Sequence, residues 1–308
     1  MSATVLPRLR PHPVQRVMRA SGVRNRLFPR AKFDQWQAQP RLPYAGMPSV
    51  RVARRIDAER GEVAGRPVYR VRPKLAPPAH ARLLYLHGGA YVLDLIPSFH
   101  WPAIAKLVNA TGRGAVVPIY PLAPEHTYRA TIPFLLGVYR EMLAEYPAER
   151  IAFVGDSAGG GLAFALCHAA RDAGLPPPSD AVLISPWLHL GLPAPDVAEV
   201  ARRDPVLNVD DLRAAAIRYA GGDPLDTPLL SPAVGPLDGL PRLTVFTGTN
   251  DVLNPDARVF HRRAIAEGLD VGWHELEGGM HCWPLLPAQR QARDAFAGIR
   301  RLLGATGN

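Results

Sequence analysis

The chain has little cysteine, little lysine and no long apolar run. Its 308 residues include two cysteines, Cys167 and Cys282. That number excludes a disulfide framework, and no CxxC or Cys/His spacing points to a structural metal. The plain reading is two reduced thiols in or near the core. No apolar stretch approaches the roughly 20 residues that span a bilayer. The first residues, MSATVLPRLRPHPVQRVMR, are basic and broken by Pro7, Pro11 and Pro13. They lack the apolar stretch of a secretory signal, so a cytoplasmic location is expected. Acidic residues are also scarce early on: residues 1–82 carry 18 Lys and Arg against 4 Asp and Glu, whereas residues 83–308 carry 18 against 23. The net charge of +9 therefore resides in the N-terminal segment. Such a segment is suited to peripheral contact with an anionic membrane surface. No nucleic-acid motif accompanies it, and arginines solvating an exposed surface are the simpler reading.

Hydrophobic residues make up 47% of the chain, enough for a sizeable core. SVRVARRID (49–57) and GRPVYRVRP (65–73) alternate and read as an antiparallel pair of strands at a sheet edge. Beyond them, apolar runs at 82–89, 114–126, 151–155, 181–185, 242–248 and 270–276 read as strands. Helical patterns at 98–112, 131–146, 158–174, 254–268 and 287–303 separate them, with Ser98 as N-cap and Gly112 as stop of the first. This alternation predicts an α/β fold with a mostly parallel sheet covered on both faces. Residues 1–45 and about 187–230 do not fit it. The second segment holds a helix near 208–222, introduced by Asp210, and both are expected to fold over the sheet as a cap on a single domain.

In IAFVGDSAGGGL (151–162), four glycines fall within seven residues, although glycine loses the most backbone freedom on folding. GDSAG (155–159) matches G-x-S-x-G, a tight strand-to-helix turn that exposes a serine Oγ above the sheet. The residues two before and two after the serine pass too close for side chains. A serine hydroxyl needs a base, and the base needs an orienting carboxylate. In this architecture they follow in the order serine, acid, histidine, each after a later strand. Asp251 follows the strand 242–248, and His281 lies in the loop after the last strand. Asp256 and Glu277 are competing acids. His87, His100, His126 and His168 precede the elbow or lie too close to it, and His261 and His274 fall inside a helix and a strand. LHGGAY (86–91) puts glycine amides where an oxyanion would form, so Gly88, Gly89 and the amide of Ala158 are the expected donors.

HGGA (87–90), YPLAPEH (120–126), GDSAGG (155–160), SPW (185–187), GTND (248–251) and MH (280–281) together resemble the hormone-sensitive-lipase-like branch of the α/β-hydrolases, in order over about 80–290. The resemblance implies a cofactor-free and metal-free carboxylesterase. Ser157, Asp251 and His281 would be its triad, with an oxyanion hole at Gly88, Gly89 and Ala158 and a helical cap over the acyl pocket. It also implies that His87 braces the oxyanion loop, and that homodimers are common among relatives. Short- to medium-chain acyl esters are the expected substrates. Ala90 replaces the third glycine of the loop, and Asp94 and Leu95 are expected near the pocket mouth. Tyr91, Trp187 and Trp283 are candidate pocket residues. An amidase or peptidase using the same triad remains an alternative, as does a non-catalytic small-molecule-binding member of the fold, which the presence of His281 disfavours.

Overall fold

The structure, a computed structural model, describes residues 4–6, 44, 46–286 and 290–304. Its strands are β1 (Thr4–Leu6), β2 (Ile56–Val63), β3 (Arg66–Pro73), β4 (Ala79–Leu86), β5 (Arg113–Pro118), β6 (Ile151–Asp156), β7 (Asp180–Ile184), β8 (Arg242–Gly248) and β9 (Val271–Leu276). They form one sheet in the order β1-β9-β8-β7-β6-β4-β5-β3-β2. The pairs β2–β3 and β3–β5 are antiparallel and the others parallel. The longer helices are α1 (Pro97–Thr111), α2 (Tyr128–Glu145), α3 (Ala158–Asp172), α4 (Val197–Arg203), α5 (Val209–Ala220), α6 (Asn254–Ala266) and α7 (Arg290–Leu303). The expected mostly parallel, helix-flanked α/β sheet is thus present.

Side chains of a strand alternate between faces, and here both faces are dry. On β4, Leu84 and Leu86 join a core with Leu135 of α2, Phe164 of α3 and Phe260 of α6. Leu83 and Tyr85 point the other way, into a second core with Trp101 and Ile104 of α1 and Phe296 and Ile299 of α7. Burying each large apolar side chain contributes about 1.5–3 kcal/mol, so the parallel strands in the middle are the best-anchored part of the sheet.

Several boundaries differ from the sequence expectations. Residues 49–57 are not a strand: Val50–Ala53 is a short helical turn and β2 begins at Ile56. The reason is the hairpin. Val63 pairs with Arg66 across a two-residue turn, Ala64-Gly65, with φ of 46° and 75°, and that tight turn fixes the register of both strands. Helix α1 starts with Pro97 at its first position, so Ile96 rather than Ser98 is its N-cap; proline suits that place because its missing N–H has no helical partner. Gly112 ends the helix in a left-handed conformation, as expected. Helix α5 is capped by Asn208, whose Oδ1 accepts the Asp210 N–H at 2.9 Å, so Asp210 lies in the first turn. Leu95 is buried in the second core rather than facing a pocket mouth. The proposed cap segment 1–45 lies outside the described residues except for Thr4–Leu6 and Tyr44. The segment 187–230 holds α4 and α5. No described helix is long and apolar enough to cross a membrane.

Candidate active site

Strand β6 delivers Ser157 into a turn that few sequences can make. Ser157 has φ 56° and ψ −124°, a conformation costly for an L-residue, and α3 begins at the next residue. A Cβ on Gly155 would run into the Gly159 carbonyl, and one on Gly159 would meet the carbonyls of Leu86 and His87. Both glycines are therefore required by backbone contact, as the sequence suggested. The strain is held from outside: the Ser157 N–H donates to Ile184 O at 2.8 Å, and the Ser157 carbonyl accepts from Trp187 N at 3.0 Å.

The glycine loop after β4 packs directly on this turn. A Cβ on Gly88 would sit 3.0 Å from Ser157 Cβ and 2.5 Å from Asp156 Oδ2. Gly89 has φ 131°, and Ala90 and Tyr91 follow at 52° and 64°, so the chain coils back on itself. The His87 Nδ1–H donates to Gly88 O at 2.7 Å, and Tyr120 OH donates to His87 O at 2.6 Å. These bonds brace the loop. Among the described residues, no carbonyl accepts from the amides of Gly88, Gly89 or Ala158, which leaves three donors beside the serine.

Asp251 sits in the turn after β8 and is fully buried, and His281 lies in the turn after β9, 8% exposed. Their side chains meet at 3.0 Å, Nδ1 to Oδ2. A carboxylate at Nδ1 places the imidazole N–H there and leaves Nε2 free to accept a proton. Burial works against a charge on His281, but the adjacent Asp251 carboxylate and its hydrogen bond outweigh it, with Cys282 adding to them, and hold the imidazole well above its usual range. The histidine turn is tied to the elbow through the next residue. Cys282 N–H donates to Ser185 Oγ at 2.9 Å, and its Sγ lies 4.0 Å from Asp156 Oδ2, beside Ser157. Ser157 Oγ makes no hydrogen bond to a described residue; in unliganded sites such contacts are often loose.

Sequence reasoning missed the groups beneath the elbow. Asp156 is buried; Tyr85 OH donates to its Oδ1 at 2.7 Å, and His100 Nε2 lies 3.5 Å from its Oδ2. Burial alone would raise its pKa, but His100 and these bonds hold it below the usual carboxylate range. Asp204, also buried, reaches the acid turn by accepting the Val252 N–H at 2.8 Å. No spacing in the sequence marks either carboxylate as part of a site. The competing acid Asp256 lies in the first turn of α6 and accepts Ala194 N–H at 3.2 Å. His261 stacks on Trp273 and His274 on Phe246.

The structure brings together two of the three candidate pocket aromatics. Tyr91 and Trp187 stack with centroids 5.6 Å apart, and Tyr219 of α5 stacks on Tyr91 at 4.0 Å. Trp283 lies apart, in the second core, and donates from Nε1 to Thr247 O at 2.9 Å. All three are fully buried. Among the described residues no cluster of three His, Cys, Asp or Glu side chains could hold a metal ion.

A family model described as alpha/beta hydrolase fold matches residues 83–285. An acetyl-hydrolase of Streptomyces hygroscopicus is 38% identical over 224 residues, which cover 71% of this chain and 75% of that one. The carboxylesterase NlhH of Mycobacterium tuberculosis is 31% identical over 292 residues, 90% and 89% of the two chains. Among solved structures, a hormone-sensitive lipase from a metagenome library superposes with a TM-score of 0.79 at 25% identity, covering 97% of this chain and all of that one.

Proposed function

We infer the function from the premise that this chain belongs to the α/β-hydrolase fold family, in its hormone-sensitive-lipase-like branch, and is an ester-hydrolysing enzyme. We propose that it is a serine carboxylesterase acting on short- to medium-chain acyl esters through an acyl-enzyme. Ser157 Oγ attacks the ester carbonyl while His281 Nε2 takes its proton, and Asp251 holds the imidazole tautomer and offsets the positive charge. The amides of Gly88, Gly89 and Ala158 receive the oxyanion. His281 then protonates the departing alcohol. A water molecule, deprotonated by the same imidazole, releases the acid and regenerates the serine.

The observation that carries this reading is the Asp251–His281 hydrogen bond, formed at the carboxyl ends of β8 and β9 beside the strained Ser157 turn. Ligands in open parallel sheets bind at that end. Helices α4 and α5 are proposed as the cap, because Tyr219 of α5 stacks on Tyr91 of the oxyanion loop. The name of one relative, a carboxylesterase, favours esters over amides, and that of another, an acetyl-hydrolase, favours a short acyl group.

The test is hydrolysis of p-nitrophenyl esters from acetate to palmitate, with matched anilides, by wild type and Ser157→Ala. The expected outcome is activity greatest on the shorter esters, at least about 10³-fold lower in the folded variant, with anilides far slower. Equal rates in both proteins would reject Ser157 as the nucleophile, and faster anilide cleavage would make the protein an amidase.

A further inference from the structure

Asp204 ends α4 and is 2% exposed. Its carboxylate accepts three backbone N–H groups. Oδ1 takes those of Val206 and Leu207, at 2.7 and 3.0 Å, and so closes the turn that leads to α5. Oδ2 takes that of Val252 at 2.8 Å, and Val252 is the residue that follows Asp251. One side chain thus joins the inserted helices to the turn that carries the proposed catalytic acid.

A neutral Asn or Ser could close the local turn. A carboxylate adds a second buried charge beside Asp251, and like charges confined in a dry site repel. Burial, and then Asp251, push the Asp204 carboxyl up to about 6, while His281 pulls it the other way. The remaining carboxylates nearby are engaged elsewhere. Glu275 of β9 is held by Asn254 and Arg258 of α6, Asp256 faces Ala194, Asp156 faces Tyr85 and His100, and Glu199 of α4 pairs with Arg203 at the surface. Among the charged groups acting on Asp204, His281 is the cation that favours its ionised form, and a carboxylate there favours the imidazolium in return.

We propose that Asp204 is a positioning residue of the hydrolytic site: it locks the Asp251 turn to the helical insertion and, as a second buried carboxylate bonded to the residue after Asp251, stabilises the His281 imidazolium formed during ester cleavage. The proposal rests on the triad reading given above. It assigns the inserted helices a part in setting base strength as well as in covering the site.

The experiment compares full-length wild type, Asp204→Asn and Asp204→Glu on p-nitrophenyl acetate from pH 5 to 10, with thermal unfolding measured alongside. Removing the charge should move the acidic limb of kcat/KM to lower pH by roughly half a unit to one unit. It should also lower kcat by about 5- to 50-fold with KM within about threefold. Asp204→Glu should return the limb towards its wild-type position even if the protein melts earlier. A limb unmoved in Asp204→Asn, with only the melting temperature lowered, would reduce Asp204 to a structural cap and overturn the proposal. Should Asp204→Asn fail to fold, the Asp204 carboxyl carbon is titrated by NMR in wild type and in His281→Ala. A midpoint that rises when the imidazole is removed supports the coupling, and identical curves overturn it. A wild type without esterase activity would instead defeat the Ser157 reading, and the NMR pair would still decide the question of Asp204.

Discussion

Ser157, Asp251 and His281 could be singled out from the sequence as a proposed triad because each demand leaves a local mark. Glycines flank a serine at fixed spacing, and an acid and a histidine follow later strands in a fixed order. The groups proposed to tune them leave none. Asp204 stands in RRDPVL, which reads as a turn before a proline, and only the fold carries it to Val252. The aromatic candidates show a different limit: chain position near the site does not say which way a side chain points, and Trp283 turned into the core. Asp256 gives a prediction at this scale. It is 4% exposed, its Oδ2 has no hydrogen-bond partner among the described residues, and burial raises its pKa from 3.8 to about 7. Between those values the folded chain holds a proton that the unfolded chain has shed, so stability falls as pH rises through this window and levels off above it. Asp256→Asn removes the titration. It should be more stable than wild type by roughly 1–3 kcal/mol at pH 8, with the advantage vanishing near pH 4. Unfolding midpoints in urea at the two values check this.

Among the elements, the parallel strands were legible because a strand buried on both faces is a short, continuous apolar run. The antiparallel edge pair was legible too, but the bounds of its first strand were not: its turn is Ala64-Gly65 rather than the Asn-Gly or Asp-Gly that marks such turns, and the strand register followed from it. Ala64 is exposed, with φ at 46°. A left-handed conformation costs an alanine about 1–2 kcal/mol, and asparagine tolerates it better. Ala64→Asn is therefore expected to raise stability by about 0.5–1 kcal/mol without altering esterase activity, as read from denaturant midpoints. A loss of stability would mean that the turn does not hold this geometry in solution.

At the scale of the whole molecule, the two ends of the sheet have separate tasks. The carboxyl ends carry Ser157, Asp251 and His281. At the amino ends, the buried Arg113 of β5 donates from Nε to Leu303 O at 2.6 Å and ties down the last turn of α7. Burial lowers its pKa, with Asp180 opposing that effect. Arg113→Met should cost about 1–3 kcal/mol by leaving the Leu303 carbonyl unpaired, seen as a fall of several degrees in melting temperature. Because the proposed site lies at the opposite end, kcat/KM at 25 °C should stay within about twofold of wild type. A large fall in kcat/KM at unchanged melting temperature would contradict this division.

The pairing of β1 with β9 places Thr4 opposite His274. A ribosome makes the first of these strands long before the second, so the outer edge of β9 is sealed by a segment that must wait for nearly the whole chain to be translated. Contacts this distant in sequence form late. Until they do, β1 has no partner, and an unpaired strand invites pairing with a neighbouring chain. Crowding of nascent chains on one message is thus a stage at which this edge is open to misassembly, and a slower supply of its N-terminal residues would not relieve it.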